Sequence, residues 1–161
     1  MRFLNTVAVV TGGGSGIGKA AALRLAKEGA TVVLVGRTAA KLEEAAEEIA
    51  RLGTPGGVDR FAADVTDREQ VQALAEYVRQ RYGDLHVLVN NAGISTHARW
   101  LELTEQEWDD VQRINIKSVF LVSQAFASLM IEGAKRERAN RAIVNVANHK
   151  WVTEDELSPA N

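Results

Sequence analysis

The sequence predicts an α/β domain with a doubly wound, mostly parallel sheet of five strands. Three observations carry that prediction. Short β-branched runs lack polar interruptions, Ala- and Leu-rich segments alternate with them, and a glycine cluster separates the first run from the first helical segment. Runs that are apolar on both faces suit strands covered from both sides, as parallel strands are, and each helical segment is long enough for a crossover.

Thr6–Thr11 (TVAVVT) and Thr31–Gly36 (TVVLVG) are the first two strands. Ser15–Glu28 is the helix between them, with Gly29 as its stop. Thr38 is the expected N-cap of a second helix whose Leu42, Ala45, Ala46 and Ile49 recur at helical spacing, leaving Glu43, Glu44, Glu47 and Glu48 as a solvated face. The loop Gly53–Gly57 (GTPGG) leads to a third strand over Val58–Ala63, and Asp67-x-x-Gln70 opens a helix carrying Val71, Leu74, Ala75 and Val78. A fourth strand, Leu85–Val89, follows Gly83. The capping box Thr104-x-x-Glu107 begins a long helix running to about Ile131, with Trp108, Val111, Asn115, Val119, Val122 and Phe126 near one face. Asn115 is the polar member of that stripe. Gly133–Arg141 reads as a charged connection and Ala142–Ala147 as the fifth strand, with 148–161 an irregular tail of the same single domain.

The 161 residues are 46% hydrophobic and 25% charged, a composition that fits one globular domain and argues against disorder. A net charge of -2 gives no electrostatic case for nucleic acid or an anionic membrane, and the basic residues Lys135, Arg136, Arg138 and Arg141 are diluted by Glu132 and Glu137. There is no cysteine, so disulfides and thiolate chemistry are excluded, and His86, His97 and His149 lack metal-ligand spacing. Residues 1–10 enter the glycine cluster without a long apolar segment. The expectation is a cytoplasmic protein with a small-molecule partner, no metal, no nucleic acid and no membrane.

Five of the 13 glycines fall within Thr11–Gly18 (TGGGSGIG), between a strand and a helix. Glycine allows positive φ and close backbone approach, and the helix start presents N–H groups and a positive dipole end to an anion, so this turn suits a pyrophosphate. Lys19 is followed by Ala20 rather than a hydroxyl residue, which argues against a nucleoside triphosphatase loop. The second strand ends in Gly36-Arg37, where an NAD site would place an acidic residue. A small residue followed by a guanidinium leaves room for a 2′-phosphate and binds it, so NADP(H) is favoured over NAD(H).

These residues resemble the short-chain dehydrogenase/reductase family. The resemblance rests on Thr11–Gly18, on Asp64-Val65 after the third strand, on Asn90-Asn91-Ala92-Gly93 after the fourth, and on Asn115 within Arg113–Phe120 (RINIKSVF). They occur in the family's order and spacing across residues 5–147. The resemblance implies a Rossmann-type fold and reversible hydride transfer between NADP(H) and an alcohol or carbonyl substrate. It assigns Gly12, Ser15, Gly16, Ile17 and Gly18 to the pyrophosphate, Arg37 to the 2′-phosphate, and Asp64 with Val65 to the adenine. Asn90, Asn91, Ala92 and Gly93 are assigned to the adenosine side and the strand end. From the residues alone, Asp64 equally suits an Asx cap before Thr66, and Asn115 a buried amide satisfying neighbouring backbone. In the family, the asparagine matching Asn115 distorts the long helix and holds a water in a proton relay.

The chain departs from the family at the chemistry. The position of the family's carbonyl-polarising serine holds Asn148, which still donates a hydrogen bond, so Asn115 and Asn148 are the candidate catalytic residues. The family's Tyr-x-x-x-Lys pair falls at and beyond Asn161. The two tyrosines present, Tyr77 and Tyr82, belong to the helix before the fourth strand, and Lys150 has no tyrosine four residues upstream. The expectation is a truncated, catalytically incomplete form, with the fifth strand left as a sheet edge and self-association into a homo-oligomer favoured. A noncatalytic NADP(H)-binding module or subunit is the alternative. His97 and Trp100 lie where a substrate wall would be, but the substrate is not readable.

Overall fold

The structure is a computed structural model describing residues 1–96 and 98–147. Five parallel strands, β1 (Val7–Thr11), β2 (Thr31–Gly36), β3 (Val58–Ala62), β4 (Val87–Asn90) and β5 (Ala142–Asn145), form one sheet in the order β3-β2-β1-β4-β5. The helices are α1 (Gly16–Lys27), α2 (Ala39–Arg51), α3 (Arg68–Tyr82), α4 (Glu105–Gln112) and α5 (Ser118–Arg136), with a short 3₁₀ turn at Trp100–Glu102 and a π-helical turn at Arg113–Lys117. The doubly wound fold class is as expected.

Alternation along the strands sorts the core into two layers. Ala8, Val10, Val32 and Leu34 face α1 and α2, where Ala22, Ala26, Leu42 and Ile49 pack. Val9, Val33, Val35 and Leu88 face α3 and α5, where Leu74, Val78, Val122, Phe126 and Leu129 pack. Alanines on α1 let that helix lie close to the sheet. Asp67 caps α3 as expected, accepting from the N–H groups of Glu69 and Gln70, and Gly83 ends it at φ +73°. Thr104 and Glu107 form the reciprocal capping box of α4.

Several boundaries differ from the sequence reading. Thr38 occupies the N-cap position of α2, but its side chain makes no capping bond. β4 begins two residues later than expected, at Val87, and ends on Asn90. β5 stops at Asn145 rather than Ala147, where pairing with β4 runs out. The long helix extends past Ile131 to Arg136 and is interrupted by the π turn, whose extra residue shifts the phase of the stripe. Val122 and Phe126 are therefore in the core, whereas Trp108 is exposed and meets Trp100 edge to face at 6.4 Å. Residues Glu105–Arg136 are long and apolar enough to cross a membrane by composition. Here their buried stripe packs on the sheet. Arg136 and Arg141, from the basic cluster, donate to the Gly83 carbonyl at 2.7 Å and to Asp84 Oδ2 at 2.6 Å.

Candidate functional site

Because every strand is parallel, Thr11, Gly36, Ala62, Asn90 and Asn145 end along one edge of the sheet. The connection from β1 leads to β2 on one side, and the chain later returns to place β4 on the other. The crevice between β1 and β4 is thus the topological switch point, where open α/β sheets bind ligands.

The glycine turn fills the mouth of that crevice. Gly12 sits at φ +65°, a conformation that disfavours side chains. A Cβ built on Gly18 would lie 2.5 Å from Asn91 Nδ2 and closer still to the Gly12 carbonyl oxygen. Gly18 is therefore required by close approach rather than by its dihedrals. Ser15 stands at the N-cap of α1 without capping it, so its side chain satisfies none of the N–H groups of the first turn.

Thr11 and Asn91 hold the two central strands together at this edge. Thr11 Oγ1 accepts from the backbone N–H groups of Asn91 and Ala92, both at 3.0 Å. Asn91 Nδ2 donates back to the Thr11 carbonyl at 3.1 Å. Asn90 points elsewhere: it is buried, and its Nδ2 donates to Ser123 Oγ at 3.1 Å and to Asn145 Oδ1 at 2.9 Å. It links β4 to α5 and β5 and lines neither cavity described below.

The smaller cavity, about 200 Å³, lies beside the ends of β2 and β3 and is lined by Gly36, Arg37, Asp64, Val65, Arg113 and Ile114. Arg37 is exposed and makes no ion pair among the described residues. Asp64 Oδ1 accepts from the Thr66 N–H at 2.8 Å and its hydroxyl at 2.7 Å, the Asx arrangement foreseen as one alternative. Burial pushes the Asp64 carboxyl up, but the two Thr66 bonds and the charges of Arg37 and Arg113 outweigh it and hold it below the usual carboxylate range.

The larger cavity, about 620 Å³, lies over β1, β4 and β5, and Ile17, Asn91, Gly93, Asn115, Asn145 and Val146 are among its walls. Asn115 sits at the middle of the π turn. Its Oδ1 accepts from the Ile94 N–H and its Nδ2 donates to the Ile94 carbonyl, both at 2.8 Å. The helix is distorted here, and the amide also satisfies neighbouring backbone. The two cavities share Ala92, Gly93 and Ile94, so they form one trough along the strand ends.

The structure thus brings Gly12, Ile17, Arg37, Asp64, Val65, Asn91, Ala92, Gly93 and Asn115 to the trough, with Ser15, Gly16 and Gly18 at its glycine turn and Asn90 behind it. Asn148, Lys150 and His97 lie outside the described residues. Sequence reasoning missed Arg113, Thr66 and Asn145. Asn145 was legible only as an interior member of a strand read to Ala147, and Arg113 reaches Thr66 across 47 positions and left no local signal. Tyr77 and Tyr82 are far from the trough, both donating to Asp59 Oδ2 near the start of β3, at 2.5 and 2.6 Å.

Residues 6–150 match the family model described as short chain dehydrogenase. The 3-oxoacyl-(acyl-carrier-protein) reductase FabG of Thermotoga maritima is 41% identical over 148 residues, covering 92% of this chain and 57% of that protein. A 3beta-hydroxysteroid dehydrogenase of Mediterraneibacter gnavus is 39% identical over 149 residues, covering 91% and 51%. Among solved structures, a metagenomic short-chain oxidoreductase in complex with NADP superposes with a TM-score of 0.81 at 33% identity, over 93% of this chain and 65% of that one. The citronellol catabolism dehydrogenase of Pseudomonas aeruginosa gives 0.74 at 39% identity, over 81% and 52%. The chain therefore spans little more than half the length of the curated relatives it matches.

Proposed function

The chain belongs to the short-chain dehydrogenase family, and we propose that it forms the cofactor-binding part of an NADP(H)-dependent oxidoreductase acting on an alcohol or carbonyl substrate. The observation that carries this reading is the continuous trough along the strand ends, with a guanidinium at one end that has no ion pair among the described residues and a glycine-walled approach at its middle. A pyrophosphate suits the turn because Gly12 and Gly18 let the turn pack closely against Asn91 and Ala92, which sets the start of α1, with its positive charge, at the strand ends. Arg37 binds a 2′-phosphate through its guanidinium fork. Val65 packs on the adenine while Asp64 accepts from its exocyclic amine. The complex of the metagenomic relative with NADP supports the same preference.

When bound, the dinucleotide supplies a hydride donor or acceptor. Asn115 fixes the loop wall through Ile94, and Asn148 is the proposed donor to the substrate oxygen. No tyrosine of these 161 residues reaches the trough, since both are held by Asp59. A positioned acid/base contributes about 100- to 10,000-fold, so the 161 residues bind cofactor but turn over slowly.

Titration of the chain with NADPH and NADH, followed by nicotinamide fluorescence, tests this reading. Saturable binding with NADPH preferred by about tenfold, or about 1.4 kcal/mol, is the expected result. Failure of a cooperatively unfolding sample to bind either nucleotide would refute it.

A further inference from the structure

We propose that Arg113, acting through the Thr66 hydroxyl, is a positioning residue that turns Asp64 toward the adenine amine and so sets selectivity for the base. This rests on the dinucleotide-binding reading above. Arg113 lies at the start of the π turn and reaches across to the loop after β3. Its Nη2 donates to Asp110 Oδ1 at 3.2 Å and its Nη1 donates to Thr66 Oγ1 at 3.0 Å. The Thr66 hydroxyl in turn donates to Asp64 Oδ1 at 2.7 Å.

The direction of this chain is fixed by its first member. A hydroxyl can donate or accept, but a guanidinium only donates. With Arg113 occupying a lone pair of Thr66 Oγ1, the hydroxyl proton is directed at Asp64. Together with the Thr66 N–H, it gives Asp64 Oδ1 two donors, while Oδ2 carries no hydrogen bond among the described residues. The backbone of Asp64 is held as well, its N–H donating to Gln70 Oε1 at 2.9 Å and its carbonyl accepting from the Asp67 N–H at 3.1 Å. One carboxylate oxygen is thus anchored and the other is left without a hydrogen bond among the described residues, on a side chain that lines the small cavity together with Arg113. An acceptor there favours the amine of adenine and disfavours the keto oxygen of hypoxanthine, which would face it as a second acceptor.

The π turn gives this arrangement a second consequence. Within five residues it sends Arg113 to the rim at β3 and Asn115 to the loop after β4.

The test compares affinities for NADPH and for its hypoxanthine analogue, the reduced nicotinamide hypoxanthine dinucleotide phosphate. The wild-type chain is expected to prefer the adenine form. Arg113→Gln should weaken NADPH binding by roughly three- to tenfold while leaving the analogue unchanged, and Arg113→Lys should recover most of the loss. Thr66→Val should match Arg113→Gln, and the double variant should be no worse than either. Equal weakening of both nucleotides, or no change in either, overturns the proposal, with thermal unfolding run alongside to exclude loss of fold. A wild-type chain that binds NADPH without discriminating the base overturns the role of Asp64 and Arg113 but leaves the dinucleotide reading standing. A folded wild-type chain that binds neither removes both.

Discussion

β1 and β5 flank the same strand, both parallel to β4, and both are short and apolar, yet they end in opposite environments. Ala8, Val9, Val10 and Thr11 of β1 are buried between two helical layers, whereas every residue of β5 is exposed, with Ile143 at 44% and Val144 at 47%. Pairing is equally regular, since β5 matches β4 over four consecutive positions from Ala142 to Asn145. An apolar strand pattern therefore records that a strand is suited to cover, and the cover itself comes from elements elsewhere in the chain. α1, α2, α3 and α5 supply it for β1 and β2. Among the described residues nothing equivalent lies over β5, and Ile116, which lines the larger cavity with Asn145, is exposed too. The site divides along the same line, with the turn and the small cavity at the enclosed half and the larger cavity opening toward β5.

The sharpest contrast should come from Gly18. Gly18→Val would drive a branched side chain into the Gly12 carbonyl and the Asn91 amide. Loss of cofactor binding and a destabilisation of more than about 3 kcal/mol are expected in denaturant unfolding. A variant with unchanged unfolding and binding would mean the turn has more freedom than its close approach allows.

Core truncations should reproduce the asymmetry at smaller scale. Leu34→Ala in β2 empties a fully buried site and should cost about 2–5 kcal/mol, whereas Ile143→Ala in β5 should cost about 1 kcal/mol because nearly half of its surface is already in water and no tight cavity is left. Equal costs would show that β5 is covered in solution, by a second copy or by residues 148–161.

Arg37→Ala should reduce the preference for NADPH over NADH by about tenfold, or about 1.4 kcal/mol, with NADH affinity little changed. Parallel loss of both nucleotides would place Arg37 at a group common to them.

The smallest effect is at the far end of the sheet, where the protein's two tyrosines share Asp59. Burial and the bond to Asp59 push Tyr77 up and push Tyr82 up to about 12. A raised folded value means stabilisation that is fully present below about pH 10, the unfolded value. That stabilisation is lost as pH rises toward 12. Burial also acts to raise Asp59, but bonds from both phenols and from the Arg60 N–H outweigh it, so its contribution is present above its ordinary value of 3.8 and lost as pH falls below it. Phenolate absorbance reports this cluster alone, and its rise should be delayed beyond pH 10 in the folded chain. A normal titration of both tyrosines would dissolve the cluster in solution.

Local chemistry made much of this protein readable in one dimension. The alternation of apolar runs and helical spacing specified a parallel α/β domain, the Thr11–Gly18 glycines and Arg37 marked the candidate site at the strand ends, and Asp67 and Thr104 announced their helices, because each signal acts within a few residues. Thr38 shows the limit of such signals, standing at an N-cap position without capping. Tertiary structure decided the rest. The π turn shifted the helical phase that puts Trp108 at the surface, and Arg113 and Asn115 within it reach loops 47 and 21 residues away in sequence. Asn90 turned from the trough to Ser123 and Asn145, and β5 received pairing without cover. Those outcomes depend on which distant groups meet across the sheet edge, and a hydrogen bond or a buried face has no sequence signature until both partners are in place.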